Sequence, residues 1–130
     1  MPDYFFDTSV LIAYFKREDP RTLTMLADVI AARATAAISA MTIAELWAAP
    51  EMANPTRQAE RLAVVSMLQI VAVDQAIAQR GGTIRRDHGL RIADATIAAT
   101  AQQTGGRFMS KDAHLQRLIS AQVLIGEVYG

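Results

Sequence analysis

Short apolar runs alternate along this chain with longer stretches of helical periodicity. Residues 3–6 read as a short buried strand, and a helical run over 8–17 follows. Asp19-Pro20 places a capping residue before proline at the first helical position and opens a second helix to about residue 33. Residues 35–39 form a short strand candidate, followed by a helix over 40–51. Asn54-Pro55 repeats the cap-plus-proline start for a helix to about residue 69, and 70–73 is a further buried strand. Asp74 caps a helix to about residue 86, in which Gly81-Gly82 admits a break. Residues 92–104 form a helix closed by Gly105-Gly106. A strand over 107–110, a short helix over 112–119 and a last strand over 123–125 complete the chain. This alternation predicts an α/β fold, with a mostly parallel sheet covered by helices on both faces. No repeat or linker divides residues 1–130, so one domain is expected.

Composition narrows the possible functions. Hydrophobic residues make up 52% of the chain, which excludes a disordered segment. No apolar run approaches the roughly 20 residues of a membrane span. Met1-Pro2-Asp3 lacks the basic start of a signal sequence, so a cytoplasmic protein without a membrane partner is expected. The absence of cysteine rules out disulfides, zinc–thiolate sites and thiol nucleophiles. Net charge is zero, against a broad electrostatic grip on nucleic acid. Charge is nevertheless unevenly placed. Arg80, Arg85, Arg86 and Arg91 lie close together, opposed locally only by Asp87. Arginine suits bidentate contact with phosphate or carboxylate, so these four are candidates for contact with RNA or an acidic protein segment. The plainer reading is a solvated helix end favoured by the helix dipole.

Four isolated acids carry the chemistry: Asp7, Glu45, Asp94 and Asp112. Each sits in or beside an apolar run, where an unpaired carboxylate is expensive. Asp7 ends the first strand and Asp112 lies just past the 107–110 strand, so both belong at the carboxyl edge of a parallel sheet. Asp94 lies in the first turn of a helix with Ile97, Ala98 and Ala101 on its face, and Glu45 follows the second strand. Each has a local explanation. Asp7 and Asp112 could cap helices, Glu45 could form a capping box with Thr42, and Asp94 could pair with Arg91. Convergence of all four on one edge favours a shared site instead. Oxygen-only ligands suit Mg²⁺ or Mn²⁺, which can activate water and stabilise charge on a phosphodiester. His88 and His114 are not needed for such chemistry.

The chain resembles the PIN-domain ribonucleases, in particular VapC-type toxins of bacterial toxin–antitoxin pairs. The resemblance rests on Tyr4-Phe5-Phe6-Asp7-Thr8-Ser9-Val10-Leu11-Ile12, on Thr42-Ile43-Ala44-Glu45-Leu46, on the helix from Ile92 to Ala101, and on Ser110-Lys111-Asp112-Ala113-His114-Leu115. It implies a PIN-like three-layer α/β/α sandwich with about five strands. It also implies an endoribonuclease whose Asp7, Glu45, Asp94 and Asp112 hold Mg²⁺ or Mn²⁺, with Ser9 and Ser110 beside them. An RNA substrate, a cognate antitoxin and a homodimer are further implications. The late motif departs from the family in carrying Ser110 and Leu115 where threonine and an aromatic are commoner. A receiver-like signalling module, with Lys111 in a polar role, or a non-catalytic interaction domain is the competing expectation. The apolar content of the helices over 19–33 and 54–69 predicts that these two form a groove for the antitoxin.

Overall fold

The computed structural model describes residues 1–130. Five strands form one sheet: β1 (Tyr4–Phe6), β2 (Ala36–Ser39), β3 (Gln69–Val71), β4 (Arg107–Ser110) and β5 (Gly126–Val128). Their spatial order is β3-β2-β1-β4-β5, and every pairing is parallel. Seven α-helices connect them: α1 (Thr8–Lys16), α2 (Pro20–Ile30), α3 (Ala40–Trp47), α4 (Pro55–Val65), α5 (Gln75–His88), α6 (Ile92–Thr104) and α7 (Gln116–Ser120). No helix is long and apolar enough to cross a membrane.

Strand alternation sorts the core into two layers. Phe5, Ala37 and Phe108 face α5, α6 and α7, where Ile84, Ile97 and Leu118 pack. Phe6, Ile38 and Met109 point the other way, against Val10, Leu11, Leu26 and Val65 of α1, α2 and α4. Side chains of adjacent strand residues point to opposite faces, so runs of three or four apolar residues fill both layers. This is the α/β/α sandwich expected. The strand order excludes the receiver-like alternative, whose sheet runs 2-1-3-4-5.

Several boundaries differ from the sequence expectation. The last strand is Gly126–Val128, not 123–125. Val123 and Leu124 close the turn after α7 by donating to the Leu118 carbonyl, with Gln122 in the left-handed region. Gly126 then lies so close to Phe108 that a Cβ there would overlap the Phe108 carbonyl. Strand β3 is an edge strand with Ile70 exposed, not a buried one. Helix α3 stops at Trp47, and a 3₁₀ turn over Pro50–Ala53 follows, proline lacking the N–H that would continue the helix. Helix α4 ends at Val65, short of residue 69.

The two helices expected to build a groove each bury one face in the core and leave the other exposed. Met25, Leu26 and Val29 of α2 and Val65 of α4 belong to the core, leaving Ile30, Leu62 and Met67 exposed. Met25 and Val65 are therefore packing positions of the core, and Ile30 and Leu62 are the apolar residues these helices leave on the surface.

Helix α5 runs unbroken through Gly81-Gly82 and is capped by Gly89, in a left-handed conformation. The reason for Gly81 is proximity: a Cβ there would lie 3.1 Å from the Thr96 Cα on α6. Gly82 faces open space, with nothing within 4 Å of its missing Cβ. Gly81→Ala should therefore destabilise the chain by about 1–3 kcal/mol through forced overpacking. Gly82→Ala should stabilise it by about 0.5–1 kcal/mol through backbone entropy. Urea unfolding of the two variants checks both signs; equal effects would contradict the close approach of α5 and α6.

Candidate active site

The sheet order reverses between β1 and β4, since the chain builds β2 and β3 on one side of β1 and β4 and β5 on the other. Such a switch point opens a crevice beyond the carboxyl ends of the strands. Asp7 stands there, immediately after β1, and is 3% exposed. Its extended backbone makes it the N-cap of α1. Three contacts fall on its Oδ2: the Ser9 hydroxyl donates at 2.6 Å, the Ser110 hydroxyl at 2.9 Å, and the Ser9 backbone N–H at 3.4 Å. Each hydroxyl also accepts a backbone N–H from the loop after β4, Ser9 from Lys111 at 2.9 Å and Ser110 from Asp112 at 3.0 Å. The two serines thus tie the turn after β1 to the turn after β4. Burial pushes the Asp7 carboxyl above its ordinary value; the two hydroxyls oppose this, and the nearby charge of Asp94 adds to it.

Asp94 lies in the first turn of α6, a helix buried on all sides from Asp94 to Ala101. Arg91 forks onto both of its oxygens, Nε to Oδ2 at 3.0 Å and Nη2 to Oδ1 at 3.1 Å. The same Nη2 reaches within 4.0 Å of Glu45 Oε2. The hydrogen bond to Asp94 raises the Arg91 pKa most, the Asp94 charge adds to it, and Glu45 and Asp112 contribute further. All three acids therefore lie in the field of one guanidinium. Glu45 is held from its other oxygen, where the Thr8 hydroxyl donates at 2.7 Å, and Thr8 also meets the buried Thr42 hydroxyl at 2.8 Å. The capping box expected between Thr42 and Glu45 does not form, because Ser39 caps α3 through the Met41 N–H. Asp112 follows β4, caps the turn Ala113–Leu115 and accepts from the His114 N–H at 2.9 Å.

The structure thus gathers Asp7, Glu45, Asp94 and Asp112 at one sheet edge, with Ser9 and Ser110 beneath Asp7. A cleft of about 270 Å³ between Gly89, Arg91, His114 and Arg117 is lined by two of the acids, Asp94 and Asp112. A second cavity, of about 220 Å³, reaches Glu45 from the side of Ile12, Phe15, Leu46 and Arg61. No three carboxylates close around a single point, and the cation among them is Arg91. An all-oxygen donor set that already attracts a cation, with a buried carboxylate at its base, fits a hard divalent ion. Of the arginine cluster, only Arg91 joins the acids. Arg80 donates to Gln102 at the far end of α6, Arg85 to the Leu90 carbonyl, and Arg86 pairs with its neighbour Asp87. Arg117, which donates to the His88 carbonyl, and Thr8 complete the site without having been singled out in the sequence. Thr8 carried a local signal, the hydroxyl beside Asp7; Arg117 carried none.

The sequence matches the PIN domain family over residues 4–119. The chain belongs to that family. This PIN domain is similar to a chain of a toxin–antitoxin complex from Klebsiella pneumoniae, at 25% identity and a TM-score of 0.72, over 94% of this chain and 95% of that one. It shares its fold with a chain of VapBC2 from Rickettsia felis bound to a promoter DNA fragment, at 22% identity and a TM-score of 0.73, over 98% of each. The same holds for FitAcB from Neisseria gonorrhoeae, at 23% identity and a TM-score of 0.68, over 95% of this chain and 96% of that one. No curated protein matches the chain.

One ion pair steadies the loop that carries Asp112. The Lys111 ammonium donates to Asp19, the N-cap of α2, which also accepts from the Thr22 N–H at 2.8 Å. The Lys111 hydrogen bond, and then the Thr22 N–H, hold the Asp19 carboxyl down at about 2. A depressed carboxylate stabilises the fold above its unfolded value near 3.8 and loses that contribution as pH falls toward 2. Asp19→Asn keeps a good cap but removes the charge, so acid unfolding between pH 4 and 2 should become shallower in this variant. An unchanged acid profile would remove the ion pair from the stability of this PIN domain.

Asp7 has the opposite sign. Its folded pKa lies above 3.8, so it favours folding below that pH and opposes it increasingly as pH rises through the folded value. Asp7→Asn in metal-free protein should raise stability at pH 7 by about 0.5–2 kcal/mol, the usual size of a single stabilising change. The gain should vanish near pH 3, and thermal melts at the two pH values would show it.

Proposed function

We propose that this PIN domain is a divalent-metal-dependent endoribonuclease, the toxin partner of an antitoxin protein. The observation that carries the reading is the convergence of Asp7, Glu45, Asp94 and Asp112 at the switch point of a PIN sheet, around a positive group. The likeness to a toxin–antitoxin complex chain at 25% identity supports the antitoxin as partner. The four acids offer only carboxylate oxygens as ligands, and His114 is turned onto Asp112 with its Nδ1 3.1 Å from Oδ1, which together favour Mg²⁺ or Mn²⁺.

Asp7 and Asp94, both buried, would hold the ion, with Asp112 lining the cleft beside Asp94. Bound there, a divalent ion supplies an acidified water and neutralises charge at the scissile phosphodiester. Ser9 and Ser110 keep the Asp7 carboxylate in one orientation by donating to a single oxygen. Glu45 has Oε1 occupied by Thr8, which leaves Oε2 to take the proton of the attacking water. Thr8 therefore fixes where that proton is received. Arg117 and His114, on the rim of the cleft, are placed to contact the RNA backbone. Arg86, exposed at the end of α5, extends the same basic side, whereas Arg80 and Arg85 are engaged elsewhere. The reading places the activity in the cytoplasm. It includes a two-fold dimer, for which the exposed Met67 and Ile70 beside the free β3 edge offer an apolar surface.

RNA cleavage with and without EDTA tests this. EDTA should abolish cleavage, and Asp94→Asn and Glu45→Gln should each reduce it about a hundredfold or more with the fold intact. Thr8→Val should cost about 10- to 100-fold, as loss of support behind a site residue does. Cleavage that survives both EDTA and Asp94→Asn would defeat the proposal.

A further inference from the structure

We infer that Arg91 is a built-in counter-cation that occupies Asp94 and Glu45 until a divalent ion displaces it. The inference rests on the reading of this edge as a divalent-ion site and assigns a role to a residue outside the acidic set.

Arg91 covers both carboxylate oxygens of Asp94 and approaches Glu45, so an ion coordinated by Asp94 must compete with it. The Asp94 side chain is only 8% exposed, which makes an uncompensated charge there costly. The Arg91 side chain is 71% exposed and has no partner besides these acids. Its backbone lies outside α6, at the N-cap, in an extended conformation and without a side-chain cap bond. Rotation of the side chain away from Asp94 therefore breaks no helix and exposes little new surface. Arg61 shows the contrast: it is buried, stacks on Phe15 and pairs with Glu51, and so is not free to move. Clustered carboxylates repel one another when nothing positive lies between them. Arg91 supplies that charge in metal-free protein, keeping Asp94 and Glu45 in position, and exacts an affinity penalty when an ion enters.

Titration calorimetry with Mn²⁺ alone tests this on wild type, Arg91→Gln, Arg91→Lys and Asp94→Asn. Arg91→Gln should bind Mn²⁺ about fivefold tighter than wild type, the scale of an ion pair with one exposed partner. It should also melt lower than wild type without metal and show a larger Mn²⁺-induced rise in melting temperature. Arg91→Lys, which keeps the charge but loses the fork, should fall between the two. A purely structural Arg91 would lower the melting temperature of Arg91→Gln and leave Mn²⁺ affinity unchanged. Equal or weaker Mn²⁺ binding by Arg91→Gln, with binding still dependent on Asp94, overturns the inference and leaves the nuclease reading standing. Absence of Mn²⁺ binding in every variant, together with EDTA-resistant cleavage, overturns both.

Discussion

The burial of one carboxylate organises this molecule. Asp7 ends the central strand inside the protein, where its charge is unfavourable, and the surrounding structure answers that problem. Two serine hydroxyls from different turns converge on a single oxygen of it, each bound in turn by an N–H of the loop after β4. That arrangement joins the β1 and β4 ends across the switch point. It also sets the position of Asp112, which leaves the same loop, while the Lys111–Asp19 pair anchors the loop to α2. The site and the central β1–β4 pairing are therefore one hydrogen-bonded unit.

A second constraint is charge balance. Four acids at one edge are a liability for the fold and an asset for binding a cation. Arg91 answers this conflict in the isolated chain by forking onto Asp94 and reaching toward Glu45, from the residue before α6 and with a largely exposed side chain. Thr8 bridges Glu45 and Thr42 behind the same edge, so the second acid has an anchor besides the cation. Preorganised oxygens with a positive group that an ion could displace would suit the proposed divalent-ion site, stable when empty.

Local signals in the sequence translated directly into structure where the physics is local. Asp19, Asn54 and Asp74 each cap a helix as their patterns indicate, because a cap depends on the next three residues alone. The apolar runs of β1, β2 and β4 became strands covered on both faces, and Asp7 and Asp112 lie at the carboxyl edge where strand ends place them. Signals with two local meanings were not separable. Asp7 is at once a helix cap and a site acid, and Asp94 does pair with Arg91 while also belonging to the acidic edge.

The sequence by itself determined the α/β architecture with helices on both faces and placed the acids beside strand and helix ends, because strand and helix periods, caps and buried charge are written in neighbouring residues. Ser9 and Ser110 were indicated only by the family resemblance. Tertiary structure alone decided the rest. Gly81 looks like a helix breaker until Thr96 of α6 is seen against it. Val123 to Ile125 look like a strand until the Leu118 carbonyl claims two of their N–H groups. The apolar residues of α2 and α4 look surplus until the sheet face they cover is built. Glu45 is set by Thr8, 37 positions away, and approached by Arg91, just before α6. Each of these outcomes depends on which distant segment arrives as a neighbour, and no window along the chain contains that information.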